Sequence, residues 1–151
     1  MTAYALSNFF GQTNVTNPTT MALKAGTYSL KIAQVEAAPC TSTLLPFAIY
    51  HYTGATLSGG TTITPAPLRD GAPAASASAK INPTITGTSS LLHAEFQNST
   101  ALLSYKFPFV VIIAPGNAIL LSTTQTTTGS GAYNILAANI YFEELRLAWS
   151  Y

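Results

Sequence analysis

Apolar and polar residues alternate with a period of two over much of this chain, the spacing of strands that bury one face. After Gly26, Tyr28, Leu30 and Ile32 alternate with Ser29, Lys31 and Ala33, which predicts a strand to about Glu36, ended by Ala37-Ala38-Pro39. Leu44–Thr53 predicts another, with Phe47, Ile49 and His51 on one face and Ala48, Tyr50 and Tyr52 on the other. Both faces are bulky, so both are expected to be covered. The strongest signal is Phe107–Ser122, FPFVVIIAPGNAILLS, in which two β-branched apolar runs flank Pro115-Gly116-Asn117. Pro and Gly supply the fixed and the positive φ that a tight reversal needs, so this stretch predicts a central hairpin of strands Tyr105–Ala114 and Ala118–Thr123.

The remaining stretches are shorter. Gly54–Gly60 reads as a turn and Thr61–Thr64 as a brief strand, followed by a loop from Pro65 to Pro73 whose three prolines deny it ladder donors. Ala74–Ala79 is all Ala and Ser: a linker or short helical turn, or else small residues packed closely against a neighbour. Ile81–Thr88 and Ser89–Gln97 predict strands broken near Gly87-Thr88, Thr124–Gly131 a loop, and Tyr133–Arg146 a final strand. No long helical period occurs. About eight short strands with Gly, Pro and Asn turns predict an all-β fold, an antiparallel β-sandwich of jelly-roll type over residues 26–151.

Residues 1–25 differ. Up to Leu23 they carry no charge, their periodicity is brief, and Asn8, Gly11, Asn14, Asn17 and Pro18 punctuate them. They read as a disordered leader or, as expected here, as an extended N-terminal arm in which Tyr4, Leu6, Phe9 and Phe10 contact a neighbouring subunit, since they would be poorly placed in water.

Composition changes this picture in one respect. Of 151 residues only 7% are Asp, Glu, Lys or Arg while 48% are apolar, against about 25% charged in ordinary soluble proteins. A membrane helix needs about 20 uninterrupted apolar residues, and Pro108 and Pro115-Gly116-Asn117 interrupt the longest run. Eight Tyr, seven Phe and Trp149 oppose disorder. What remains is a subunit whose surface is largely covered by partners. The six basic residues are scattered singly, which disfavours nucleic acid. The N-terminus lacks the basic and apolar regions of a secretory signal, so synthesis in the cytoplasm is expected and the Asn14 and Asn98 sequons carry no meaning.

Candidate chemistry is sparse. His93-Ala94-Glu95 has the His-x-Glu of zinc deaminases, but Pro39-Cys40 lacks the second Cys that signature needs; on a strand the two side chains share a face and satisfy each other or solvent. Cys40 and His51 are a conceivable nucleophile and base, although a lone Cys is more often simply buried. One Cys and two His make no zinc spacing. Glu143 and Glu144 point opposite ways on a strand, so no carboxylate pair arises. The chain is therefore expected not to be an enzyme and to hold no metal or cofactor. Glycan stacking on Tyr50, Tyr52, Tyr133 or Trp149 is the alternative use of its aromatics.

The succession of Leu44–Tyr52, Gly59-Gly60-Thr61-Thr62-Ile63-Thr64-Pro65, Ala74-Ala75-Ser76, VVIIAPGNAILLS and the terminal IYFEELR resembles small tailed-phage virion proteins with a jelly-roll core, and among them head decoration, or cement, proteins. The likeness covers about Tyr28 to Arg146. It implies a homotrimer on the capsid exterior that bridges neighbouring major capsid protein subunits, with no nucleic-acid or membrane partner. A receptor- or glycan-binding jelly-roll module of a phage tail or head fibre is the alternative.

Overall fold

The computed structural model describes residues 2–13, 19–40, 45–97, 103–123 and 133–146, and all their regular structure is β. Twelve strands are present among them: β1 (Thr2–Thr13), β2 (Thr19–Lys24), β3 (Ser29–Cys40), β4 (Leu45–Ser58), β5 (Thr61–Ile63), β6 (Ala66–Pro67), β7 (Ser78–Ile81), β8 (Thr84–Gln97), β9 (Leu103–Tyr105), β10 (Val111–Ile113), β11 (Ala118–Thr123) and β12 (Tyr133–Leu145). They form two antiparallel sheets, ordered β10-β3-β12-β1-β6 with β9 also on β3, and β5-β7-β2-β11-β4-β8. From β1 to β4 and from β8 to β12 the chain changes sheet at nearly every connection, with β9 and β10 the two halves of one interrupted edge strand. That is the double Greek key of a jelly roll, with β5, β6 and β7 as additions at the sheet edges.

The core lies between the sheets. Tyr4, Leu6, Leu30, Val35, Ile140 and Phe142 from the first face Met21, Leu23, Phe47, Ile49, Ile119 and Leu121 from the second, all essentially without exposure. The alternation of β3 changes phase midway: Leu30 and Ile32 are buried, then Val35 and Ala37. A bulge explains it, because Tyr141 pairs with Gln34 while Phe142 pairs with Ile32, leaving Ala33 as the extra residue.

Two expectations are corrected. Residues 2–13 are not an arm but a strand inside the first sheet, paired along β12 from Thr2 with Glu144 to Thr13 with Tyr133. Tyr4 and Leu6 alternate toward the core and are fully buried in their own chain, so neither waits for a neighbour; the side chains of Phe9 and Phe10 lie outside the described residues. Likewise Thr19–Lys24, also assigned to the arm, is β2, seated between β7 and β11.

The second correction is the central hairpin. β10 pairs with β3 in one sheet and β11 with β2 and β4 in the other. Pro115 and Gly116 (φ 83°) occupy the middle of a turn closed by the Asn117 amide donating to the Ala114 carbonyl at 3.0 Å. Pro followed by a positive-φ Gly gives a type II turn. Its twist splays flanking strands rather than pairing them, unlike the primed turns of hairpins. The turn therefore crosses between sheets. It is fastened there, with the Ala25 and Ala55 amides donating to Asn117 and Gly116 carbonyls at 2.9 Å and Gly54 N donating to Asn117 Oδ1 at 3.0 Å.

Elsewhere Gly54 (φ 61°) is a bulge within β4 rather than the start of a turn, and β8 is continuous through Gly87, since the pairing of β4 with β8 merely shifts register between Thr53 and Thr56. Ala74–Ala79 is close packing, within the chain itself: Ala77 and Ala79 are buried, β7 lies between β2 and β5, and a Cβ on Gly26 would overlap the Ser76 carbonyl. Thr124–Gly131 falls outside the described residues.

Candidate functional site

The chemistry-bearing residues do not converge. His93 and Glu95 meet on β8, Nε2 to Oε2 at 3.0 Å, as strand geometry requires, and the His93 ring stacks on Tyr105 of β9 at 3.8 Å between centroids. Cys40 ends β3 in the first sheet. His51 is well inside β4 in the second, six residues past Leu45 and so about 20 Å along that strand. Among the described residues no group of His, Cys, Asp and Glu has the arrangement of a metal site. On the outer face of the first sheet Glu36 accepts from Gln34 Nε2 (2.9 Å) and Asn139 Nδ2 (3.1 Å), and Lys31 pairs with Glu143 at 3.4 Å. These are solvated contacts of small energetic value.

Glu143 and Glu144 do point to opposite faces, and Glu144 is the surprise. It is fully buried, and its Oε1 accepts from Ser76 N (2.6 Å), Ser76 Oγ (2.8 Å) and Ala77 N (3.1 Å), while Oε2 accepts from Arg146 Nη2 (2.7 Å) and Nε (3.1 Å). Burial pushes this carboxyl up, but the bonds from Arg146, Ser76 and Ala77 together outweigh it and hold its pKa below the ordinary glutamate value. Arg146, its own pKa raised by Glu144, also donates to Tyr4 OH (3.1 Å) and the Ala74 carbonyl (3.2 Å) and lies over the Tyr28 ring at 4.8 Å. This network ties β12 to β1 and to the Ala74–Ala77 segment.

What the surface offers instead is apolar. β11 is buried along its whole length, with Ala118, Leu120 and Ser122 on the face turned from the core, beside Tyr50 and Tyr52 in register. Those two tyrosines are half-buried on a shared face; the side chain of Tyr133 and the whole of Trp149 lie outside the described residues. Among the described residues, six large hydrophobics are exposed: Leu68, Leu91, Leu92, Phe109, Val110 and Ile112. All but Leu68 belong to β8 or to the β9–β10 edge, the edge strands of the two sheets on one flank of the sandwich. The ring stack of His93 on Tyr105 joins these edges directly. The apolar run at Phe107–Ser122 is thus divided, with Phe109, Val110 and Ile112 exposed and Ala118–Ser122 buried. Pro108, which cannot donate to a ladder, is the sign that it leaves the sheet there.

No protein-family model and no curated protein matches this chain. Among solved structures it is similar to a chain in the structure of infectious bursal disease virus Gt strain, with 14% identity and a TM-score of 0.22 over 94% of this chain and 40% of that one. The chain thus spans less than half the length of that viral chain, and a likeness of that score carries no argument about function.

Proposed function

We propose that this jelly roll is a structural virion protein of the decoration kind: a non-catalytic subunit that self-associates, as a trimer, on the capsid exterior and bridges major capsid protein subunits. The observation that carries the reading is the lack of charge. Only eleven residues are charged, and Glu144, Arg146, Lys31 and Glu143 are already paired within the chain. A monomer dressed in Ser, Thr and apolar side chains is poorly suited to water, whereas a lattice-bound subunit covers much of that surface. Binding only to the assembled shell stabilises the shell by mass action. With so few charges involved, the binding depends only weakly on salt.

The test is cosedimentation of the full chain with capsids built from the major capsid protein of the same genome. Saturable binding that survives high salt and raises the temperature of capsid disruption is expected. A chain that ignores the lattice refutes the reading. Tyr50 and Tyr52, on one face and about 7 Å apart along β4, support glycan recognition as a second reading. Replacing both with Ala abolishes binding to a glycan array under that reading and leaves capsid binding intact.

A further inference from the structure

We propose that the outer face of the second sheet binds an acidic glycan, with a sugar ring stacked on Tyr50 and Tyr52 and its carboxylate held by Lys24. The proposal rests on the glycan reading above and deepens it, naming the class of sugar and the residue that selects it.

The pairing registers lay that face out as rows across the strands. One row carries Lys80, Ala22, Leu120 and Tyr50 on β7, β2, β11 and β4, and the next carries Lys24, Ala118 and Tyr52 on β2, β11 and β4. These residues point away from the first sheet, because the ones that alternate with them, Met21, Leu23, Ile49, Ile119 and Leu121, lie in the core. Paired strands are about 4.8 Å apart, so Lys24 and Tyr52 face each other across Ala118 at about 10 Å between backbones, and Lys80 and Tyr50 across Ala22 and Leu120 at about 14 Å.

The middle of the face is low and its two sides are high. Ala22 and Ala118 have no exposure and Leu120 has 5%, although all three point outward. They are a floor sunk between taller neighbours, lysine stems on one side and tyrosines on the other. Both lysines and both tyrosines are half-buried, so each keeps surface for a ligand. A tyrosine ring offers a negative face to the C–H bonds of a sugar and a hydroxyl to its oxygens, and with two rotatable bonds it loses little entropy on binding. At the ends of the same rows the exposed Thr62 and Ser89 add hydroxyl partners.

Charge then selects among sugars. The chain has five Asp and Glu residues, and none lies on this face. Glu36 and Glu143 are on the outer face of the first sheet and Glu144 is buried, while Glu95 is opposite Phe47 on the core-facing side of β8 and Asp70 lies between β6 and β7. Among the described residues Lys24 therefore has no carboxylate partner. Lys80 Nζ donates to the Gly59 carbonyl at 2.9 Å, which occupies one donor and leaves its charge uncompensated. A neutral sugar makes no use of these ammonium groups. A phosphate is gripped by several free backbone N–H groups or by clustered cations, whereas β2, β11 and β4 are interior strands whose N–H groups are spent in ladders. One carboxylate on a sugar ring fits the single ammonium of Lys24 beside the tyrosines.

The test is an array of uronic-acid and sialic-acid glycans beside their methyl esters, which keep the sugar and remove the charge, probed with the full-length chain. The wild type is expected to bind the acids at least about tenfold more tightly than the esters. Lys24→Gln erases that preference and keeps the ester binding, and Tyr50→Ala with Tyr52→Ala loses both. Lys106→Ala, an exposed lysine off this face, is the control and binds as wild type. Far-ultraviolet circular dichroism checks each fold; if the tyrosine variant fails to fold, the esters and K24Q decide. Equal binding of acids and esters, or a folded K24Q chain that keeps the preference, overturns the proposal and leaves the glycan reading standing. A chain that binds no glycan overturns both. Acid binding that survives loss of the tyrosines and is matched by poly-glutamate also overturns the proposal, since charge alone then chooses the ligand.

Discussion

Replacing Glu144 probes the buried network most directly. Glu144→Ala removes the acceptor for five hydrogen bonds and leaves the Ser76 and Ala77 amides in a site with no exposure. Each buried donor left unsatisfied costs about 1–3 kcal/mol. Arg146, whose side chain is 27% exposed, recovers part of its hydration, so the total is set by the two amides and the Ser76 hydroxyl. About 3–5 kcal/mol is expected, the range for breaking a buried charge pair from one side. For a chain of this length that lowers the melting temperature by roughly 10 °C. Glu144→Gln keeps the shape and one accepting oxygen but turns an amide toward the Arg146 donors, so it should fall between wild type and Ala. The sign with pH follows from the lowered pKa: the stabilisation is complete above the ordinary glutamate value and is lost as pH falls through the lower, folded-state value. The assay is urea unfolding at fixed protein concentration from neutral pH into the acid range. Wild type loses stability on the acid limb faster than E144Q. An E144A loss under about 1 kcal/mol, or parallel acid limbs for wild type and E144Q, refutes the reasoning.

Four further outcomes are expected. Gly26→Ala drives a Cβ into the Ser76 carbonyl, backbone against backbone, and should cost more than about 2 kcal/mol in thermal melts. Gly116→Ala has open space around it and meets only the strain of a positive φ, so about 1–2 kcal/mol is expected; equal losses at the two glycines would be inconsistent with the turn assignment. A chain beginning at Lys24 lacks β1 and β2 and should show no cooperative melt, whereas a folded product would restore the N-terminal arm. His93→Ala removes the ring stack on Tyr105 and should cost about 0.5–1.5 kcal/mol, read as a lower urea midpoint with an unchanged slope.

Alternation, a local property, was readable wherever a strand has one buried face: Leu30 and Ile32, Phe47 and Ile49, Ile140 and Phe142 all point as their spacing predicts, and so do Glu143 and Glu144. With the turn residues this determined the all-β class and the jelly-roll sandwich. Which strand pairs with which is not local. Val111–Ile113 and Ala118–Thr123 look like hairpin partners until the Pro115-Gly116 geometry sends them to opposite sheets. Tyr4 and Leu6 look stranded in water until β12, more than 120 residues away, supplies the ladder that buries them. Ala74–Ala79 looks like a linker until Gly26 and Glu144 close on it from distant elements. The flank was hidden for the same reason: apolarity in Leu91 or Phe109 is identical in core and surface residues, and only the packing of the sheets decides which side chains are left outside.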